Sequence, residues 1–174
     1  MYYMTRLLLL VPPRNFNDTE YSVTRERLEQ AGIQVTLTSV VEEEITGMGG
    51  MKITPEKELR LTNPNNYDAL VIIGGSGTPK LLDYPEVTNI IKKFENQGKP
   101  IAAICLAPII LAKAGILKGV ICTVFPTNFA LKWLKDGGAT YSELNVVEDD
   151  NIITADGPGA AKEFAGKILK KFNL

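Results

Sequence analysis

Ile101-Ala102-Ala103-Ile104-Cys105-Leu106-Ala107-Pro108 runs from a short apolar strand through a cysteine into the first turn of a helix. Ile101 to Ile104 is uniformly apolar, as suits a central strand of a sheet covered on both faces. Pro108 fits the first turn of the helix that follows, where its missing N–H costs nothing. Cys105 therefore occupies a strand-to-helix corner. At such a corner, unpaired backbone N–H groups and the positive helix end favour thiolate over thiol, and the sulfur is presented outward. The 174-residue chain contains no histidine, so the imidazole that most often activates such a nucleophile is missing. Any chemistry at Cys105 rests on carboxylates, backbone and water.

Outward from that corner, apolar runs of strand length alternate with segments of helical period, the pattern of a parallel sheet with crossover helices. Upstream, Ala69 to Ile73 is a second all-apolar run, closed by Gly74-Gly75-Ser76-Gly77, and Pro85 to Gln97 reads as the helix joining it to the Cys105 strand. Both strands deliver their carboxyl ends to one edge, where open α/β sheets bind ligands. Near the start, Leu7 to Val11 is a strand, Asp18 to Gln30 a helix stopped at Ala31-Gly32, and Gln34 to Ser39 a strand. Glu42 to Leu61, with Gly47, Gly49, Gly50 and Pro55, suits a hairpin or an excursion over the sheet edge. Downstream come a helix from Ala107 to Ala114 capped by Gly115, a short strand at Cys122 to Val124, and a short helix at Phe129 to Asp136. Strands at Asn145 to Val147 and Ile152 to Thr154 follow, joined by an acidic turn, and the helix Ala160 to Phe172 closes the chain. No repeat or linker argues for a second domain. The expected fold is one doubly wound α/β domain with a mostly parallel sheet flanked by helices.

Composition narrows the partners. With 45% hydrophobic residues and a formal net charge of −1, the chain can bury one sizeable core and offers no electrostatic footprint for nucleic acid or an anionic membrane. Leu7 to Val11 is too short for a signal-peptide core or a membrane span, and two prolines end it. Cys105 and Cys122 lack metal-ligand spacing, so neither a metal site nor a disulfide framework is indicated. The expected setting is the cytoplasm, with reduced thiols.

Three stretches carry a resemblance. Tyr67-Asp68-Ala69-Leu70-Val71-Ile72-Ile73-Gly74-Gly75, Gly98-Lys99-Pro100-Ile101-Ala102-Ala103-Ile104-Cys105 and Ala114-Gly115-Ile116-Leu117-Lys118-Gly119 resemble the ThiJ/PfpI family. That family includes the parkinsonism-associated protein deglycase and archaeal intracellular cysteine proteases. It shares its flavodoxin-like fold with class I glutamine amidotransferase domains. Ile153-Thr154-Ala155-Asp156-Gly157-Pro158-Gly159-Ala160 resembles the deglycase branch in particular, and the likeness extends over residues 5–173.

The resemblance implies a site. Cys105 matches the family's elbow cysteine, which attacks a substrate carbonyl or is oxidised in redox-sensing members. Glu20 matches the glutamate that approaches that sulfur and hydrogen-bonds to its thiolate, where a protonated carboxyl can serve as general acid or base. From the residues alone, Asn17 followed three positions later by Glu20 also reads as a capping box at a helix start. Gly75 matches the glycine whose N–H, with that of Leu106, forms an oxyanion hole, and Gly74 precedes it. Pro158 lies in a loop that borders the cysteine pocket in the family. Departures are equally informative. Leu106 stands where the protease branch has a histidine, Phe125 where the deglycase branch has one, and Asn17 where a second glutamate is common. Ala107 replaces the elbow's usual glycine.

The function implied is glyoxalase or deglycase chemistry on a small reactive carbonyl, with neither metal nor cofactor, Cys105 as nucleophile and Glu20 as proton shuttle. Hydration of a small carbon–nitrogen electrophile, as in the family's isonitrile hydratases, is its neighbour. The alternative outside enzymology is a stress or redox-sensing protein whose Cys105 is converted by an oxidant to sulfenic or sulfinic acid. A scaffold that kept only the fold is a third. Proteolysis ranks below these, because an amine leaving group needs the proton that an imidazole supplies. Family habit implies a homo-oligomer, a dimer or larger.

Overall fold

The computed structural model describes residues 3–174. Its main sheet is laid down by strands β1 (Arg6–Leu10), β2 (Gln34–Ser39), β5 (Lys57–Glu58), β6 (Ala69–Ile72), β7 (Ile101–Ile104), β10 (Val146–Asp149) and β11 (Ile152–Ala155). Their order is β10-β11-β7-β6-β1-β2-β5. All neighbours are parallel except β10 against β11. The flanking helices are α1 (Asp18–Gln30), α2 (Pro85–Asn96), α3 (Pro108–Lys113), α4 (Asn128–Asp136) and α5 (Ala161–Lys170). The expected doubly wound α/β architecture is the one observed.

Strand alternation sorts the core into two layers. Leu7, Leu9, Val71, Ala102 and Ile104 face one way and pack with Leu28 of α1 and Phe164 and Ile168 of α5. Leu8, Leu10, Leu70, Ile72 and Ala103 face the other and pack with Ile91 and Phe94 of α2 and Ile110 of α3. The central strands are thus buried on both sides, which is why β1 from Leu7 onward, β6 and β7 read as unbroken apolar runs. From β1 the chain winds to β2 on one side and returns to β6 on the other, so the strand order reverses beside β1. The loops after β1 and β6 meet at the carboxyl ends of the strands beside this point, where Asn17 N–H donates to Gly74 O.

The excursion between β2 and β6 is both things expected of it. Strands β3 (Ile45–Thr46) and β4 (Lys52–Ile53) form an antiparallel hairpin, and β5 then joins the sheet edge beside β2. The short strand expected at Cys122 to Val124 is observed one residue earlier and shorter, as β8 (Ile121–Cys122), which pairs with β9 (Thr140–Tyr141) in a separate two-stranded ladder. The chain leaves that ladder because Thr123 N–H is taken by Thr154 Oγ1 and Phe125 N–H by the Cys105 carbonyl. Cys122 is fully buried in the α2/α3 layer. No helix among the described residues is long and apolar enough to cross a membrane.

Candidate active site

Three elements far apart in sequence meet at the carboxyl ends of the strands: the start of α1, the loop after β6 and the corner after β7. Cys105 has φ of +64°, a left-handed conformation that costs a side-chain-bearing residue about 1–2 kcal/mol. The surroundings enforce it. Cys105 N–H donates to Ala155 O at 2.8 Å, and its carbonyl accepts from Phe125 N–H at 2.8 Å. With the next strand on one side and the β8 segment on the other, the corner has no freedom to relax. Ala107 lies at φ −59°, so alanine fits where the family prefers glycine.

Glu20 is fully buried on the first turn of α1. Its backbone N–H donates to Asn17 Oδ1 at 3.0 Å, which is one half of the capping box. The reciprocal half is absent, because Asn17 N–H is given to Gly74 O at 2.9 Å. Freed from capping, the Glu20 carboxylate instead accepts Gly74 N–H on Oε1 at 3.0 Å. Oε2 is buried with no hydrogen-bond partner among the described residues. Burial pushes the Glu20 carboxyl up to about 7, against the pull of Gly74 N–H and of Cys105.

The sulfur differs from the expectation on two counts. Cys105 is only 7% exposed, enclosed by loops that the local sequence does not specify. Burial and the negative charge of Glu20 hold its thiol up to about 12, while the N–H groups of Gly75 and Leu106 pull the other way. The six-residue α3 does not outweigh desolvation beside a carboxylate. A proton on Glu20 removes the repulsion by that carboxylate, while desolvation, the larger cause, remains. The two groups form one coupled acid, and its titration steps belong to the pair.

Glycine is required at both positions of the β6 loop. A Cβ on Gly74 would lie 2.6 Å from both Cys105 Cβ and Ile104 O. Gly75 has φ +124°, and a Cβ there would lie 2.4 Å from Asn15 O. Asn15, with φ +50°, is a member of the site that the sequence did not announce. Its carbonyl accepts Gly77 N–H at 3.2 Å and so ties the two loops together.

Cys105, Glu20, Asn17, Gly74, Gly75 and Leu106 thus converge. Phe125 N–H meets the Cys105 carbonyl, and Pro158 follows three residues after Ala155, whose carbonyl accepts Cys105 N–H. Phe125 and Pro158 both line a cavity of about 340 Å³ beside the Cys105 backbone, together with Asp156.

A model of the DJ-1/PfpI family matches residues 5–171. The chain belongs to the DJ-1/PfpI family. Among DJ-1/PfpI proteins, the glutathione-independent glyoxalase DJR-1.2 of Caenorhabditis elegans is 33% identical over 94% of this chain and 86% of its own. A deglycase of Pyrococcus abyssi is 31% identical over 94% of this chain and 97% of its own. A solved ThiJ/PfpI domain protein from Brachyspira murdochii superimposes with a TM-score of 0.93 at 27% identity, covering 98% of each chain. The DJ-1/PfpI fold is thus matched across nearly the whole molecule.

Glu20 should also leave a signature in stability. Its folded-state value of about 7 lies above that of an unfolded glutamate, so the native state holds the extra proton. The stabilisation is complete below about pH 4.3 and is lost as pH rises toward 7, by about 3 kcal/mol over the interval. Urea unfolding of the wild type between pH 5 and 8 should show this decline, and Glu20→Gln should flatten it. A wild-type curve already flat across that window would contradict the assignment.

Proposed function

We propose that this protein is a cysteine-dependent enzyme of small reactive carbonyls, converting α-oxoaldehydes to 2-hydroxy acids. The observation that carries the reading is the buried Glu20 carboxyl coupled to the Cys105 sulfur, with Oε2 left unpartnered. The glyoxalase and deglycase names of its relatives agree with it.

In the first step, the Cys105 sulfur bonds to the aldehyde carbon and its proton passes through Glu20 to the carbonyl oxygen, giving a hemithioacetal. The N–H groups of Gly75 and Leu106, both directed at the sulfur, stabilise the oxyanion that forms beside it. Glu20 next removes the proton from the former aldehyde carbon. The electron pair moves to the neighbouring ketone, and reprotonation at that carbon leaves a thioester of the hydroxy acid. Water cleaves the thioester and restores the thiol. One carbon is oxidised and its neighbour reduced, so no external oxidant or cofactor enters. Every proton transfer falls to one carboxyl, which is how the chemistry proceeds without histidine.

A base that titrates near neutrality should govern the rate. We expect kcat/KM for methylglyoxal to rise with pH through an apparent value of about 7, as Glu20 ionises, and then level off. Glu20→Gln should lose this limb and about 10²–10⁴-fold in rate, with lactate as the wild-type product. Two free cysteines fit a reducing cytoplasm, and a homo-oligomer is the assembly we infer.

A further inference from the structure

The cavity of about 340 Å³ beside the elbow is walled by Phe125, Pro126, Asn145, Asp156, Gly157 and Pro158. It is joined to Cys105 through backbone. Ala155, one residue before Asp156, accepts Cys105 N–H, and Phe125 N–H donates to Cys105 O. Asp156 N–H is fixed to Asn145 O at 3.0 Å, and the Phe125 ring lies 3.5 Å from where a side chain on Gly157 would begin. Asp156 is the one ionisable side chain among the residues lining this space. No lysine or arginine is among the described residues lining the cavity, while Phe125 is 44% exposed. A carboxylate beside an exposed aromatic ring attracts cations through both charge and the ring's negative face, and repels anions.

We propose that Asp156 sets the charge preference of the site, admitting carbonyl compounds whose remote end is an ammonium or a neutral hydrogen-bond donor and excluding those that carry a carboxylate. The assignment rests on the reading of Cys105 as the group that meets the substrate. Burial holds the Asp156 carboxyl above its usual range, as expected of a carboxylate with no cation at hand.

The test uses the charge of the attacking reagent and needs no turnover. Trimethylammonioethyl methanethiosulfonate is a cation, sulfonatoethyl methanethiosulfonate an anion and methyl methanethiosulfonate neutral. In each case the Cys105 sulfur bonds to the reagent's sulfenyl sulfur, methanesulfinate leaves with the bonding pair, and the thiol proton goes to solvent. Modification of Cys105 is followed by mass spectrometry, with Cys105→Ser as blank and each rate divided by that of the neutral reagent. The normalised cation-to-anion ratio of the wild type should exceed that of Asp156→Asn by roughly tenfold, as one unit charge nearby would give in a partly solvated site. Asp156→Lys should invert the preference. Glu20 is unchanged in all three proteins, so the comparison isolates Asp156.

A ratio that is the same in wild type, Asp156→Asn and Asp156→Lys overturns the proposal. Methylglyoxal consumption measured in parallel separates the two readings. Charge selection without turnover would remove the enzyme and keep the selective cavity, whereas turnover without charge selection would do the reverse.

Discussion

Purified Cys105→Ser should consume methylglyoxal no faster than buffer, a loss on the order of a thousandfold or more relative to wild type, as for removal of a covalent nucleophile elsewhere. The size of the effect follows from the arrangement. Glu20 titrates at about 7 and can serve a thiol because the surrounding N–H groups stabilise a sulfur anion. A serine hydroxyl is several units less acidic than the thiol it replaces, so the same carboxyl cannot prepare it. The fold should survive, since serine is close in size and both backbone hydrogen bonds of residue 105 remain. Lactate formation by the variant at the wild-type rate would remove Cys105 from the mechanism, and with it the proposed enzyme.

The second large effect is expected from the smallest change. Gly75→Ala should lower kcat by about 10²–10³, the cost of losing one oxyanion donor, and destabilise the protein by about 3 kcal/mol. Both follow from one displacement. The added methyl cannot share space with Asn15 O at 2.4 Å and Asn17 N at 2.6 Å, so the loop must retreat and carry its N–H away from the sulfur. Gly159→Ala serves as the comparison, because nothing lies within 4 Å of its would-be Cβ, and it should be near neutral in urea unfolding. Equal stability and equal kcat for the two variants would show that the β6 loop tolerates a side chain and that Gly75 is not a close-approach glycine.

Much of the architecture was legible because it depends on local pattern. β6 and β7 are wholly apolar and flanked by glycine or proline, and α1 opens at Asn17 and closes at Ala31-Gly32, so their observed limits lie within a residue or so of those read from the sequence. The two-residue strands were less accessible. β8 and β9 are held by Thr140 N–H and Ser142 N–H reaching across to Val120 and Cys122, and so short a pairing leaves no periodicity to read. In the site, residue types announced Cys105, Glu20 and the glycines, while the protonation states remained hidden. Those depend on how deeply the sulfur is enclosed, and the enclosure is built by contacts such as Gly74 N–H to Glu20 across 54 positions. Asn15 was missed because its left-handed turn answers the close approach of Gly75 and Gly77. Asp156 was hidden as a turn residue before Gly157-Pro158, and only the cavity beside Phe125 gives it a role.

The half-finished capping box has a meaning of its own. A reciprocal box would have held the glutamate in the helix's own service. Because Asn17 caps alone and turns its amide to the neighbouring loop, the carboxyl is left with a single proton to trade with the sulfur. The resting and activated forms of the pair are then tautomers of equal net charge. Moving between them alters neither the molecule's long-range field nor its response to ionic strength. The balance of the proton within the pair is decided within a few ångströms, by a handful of main-chain amides.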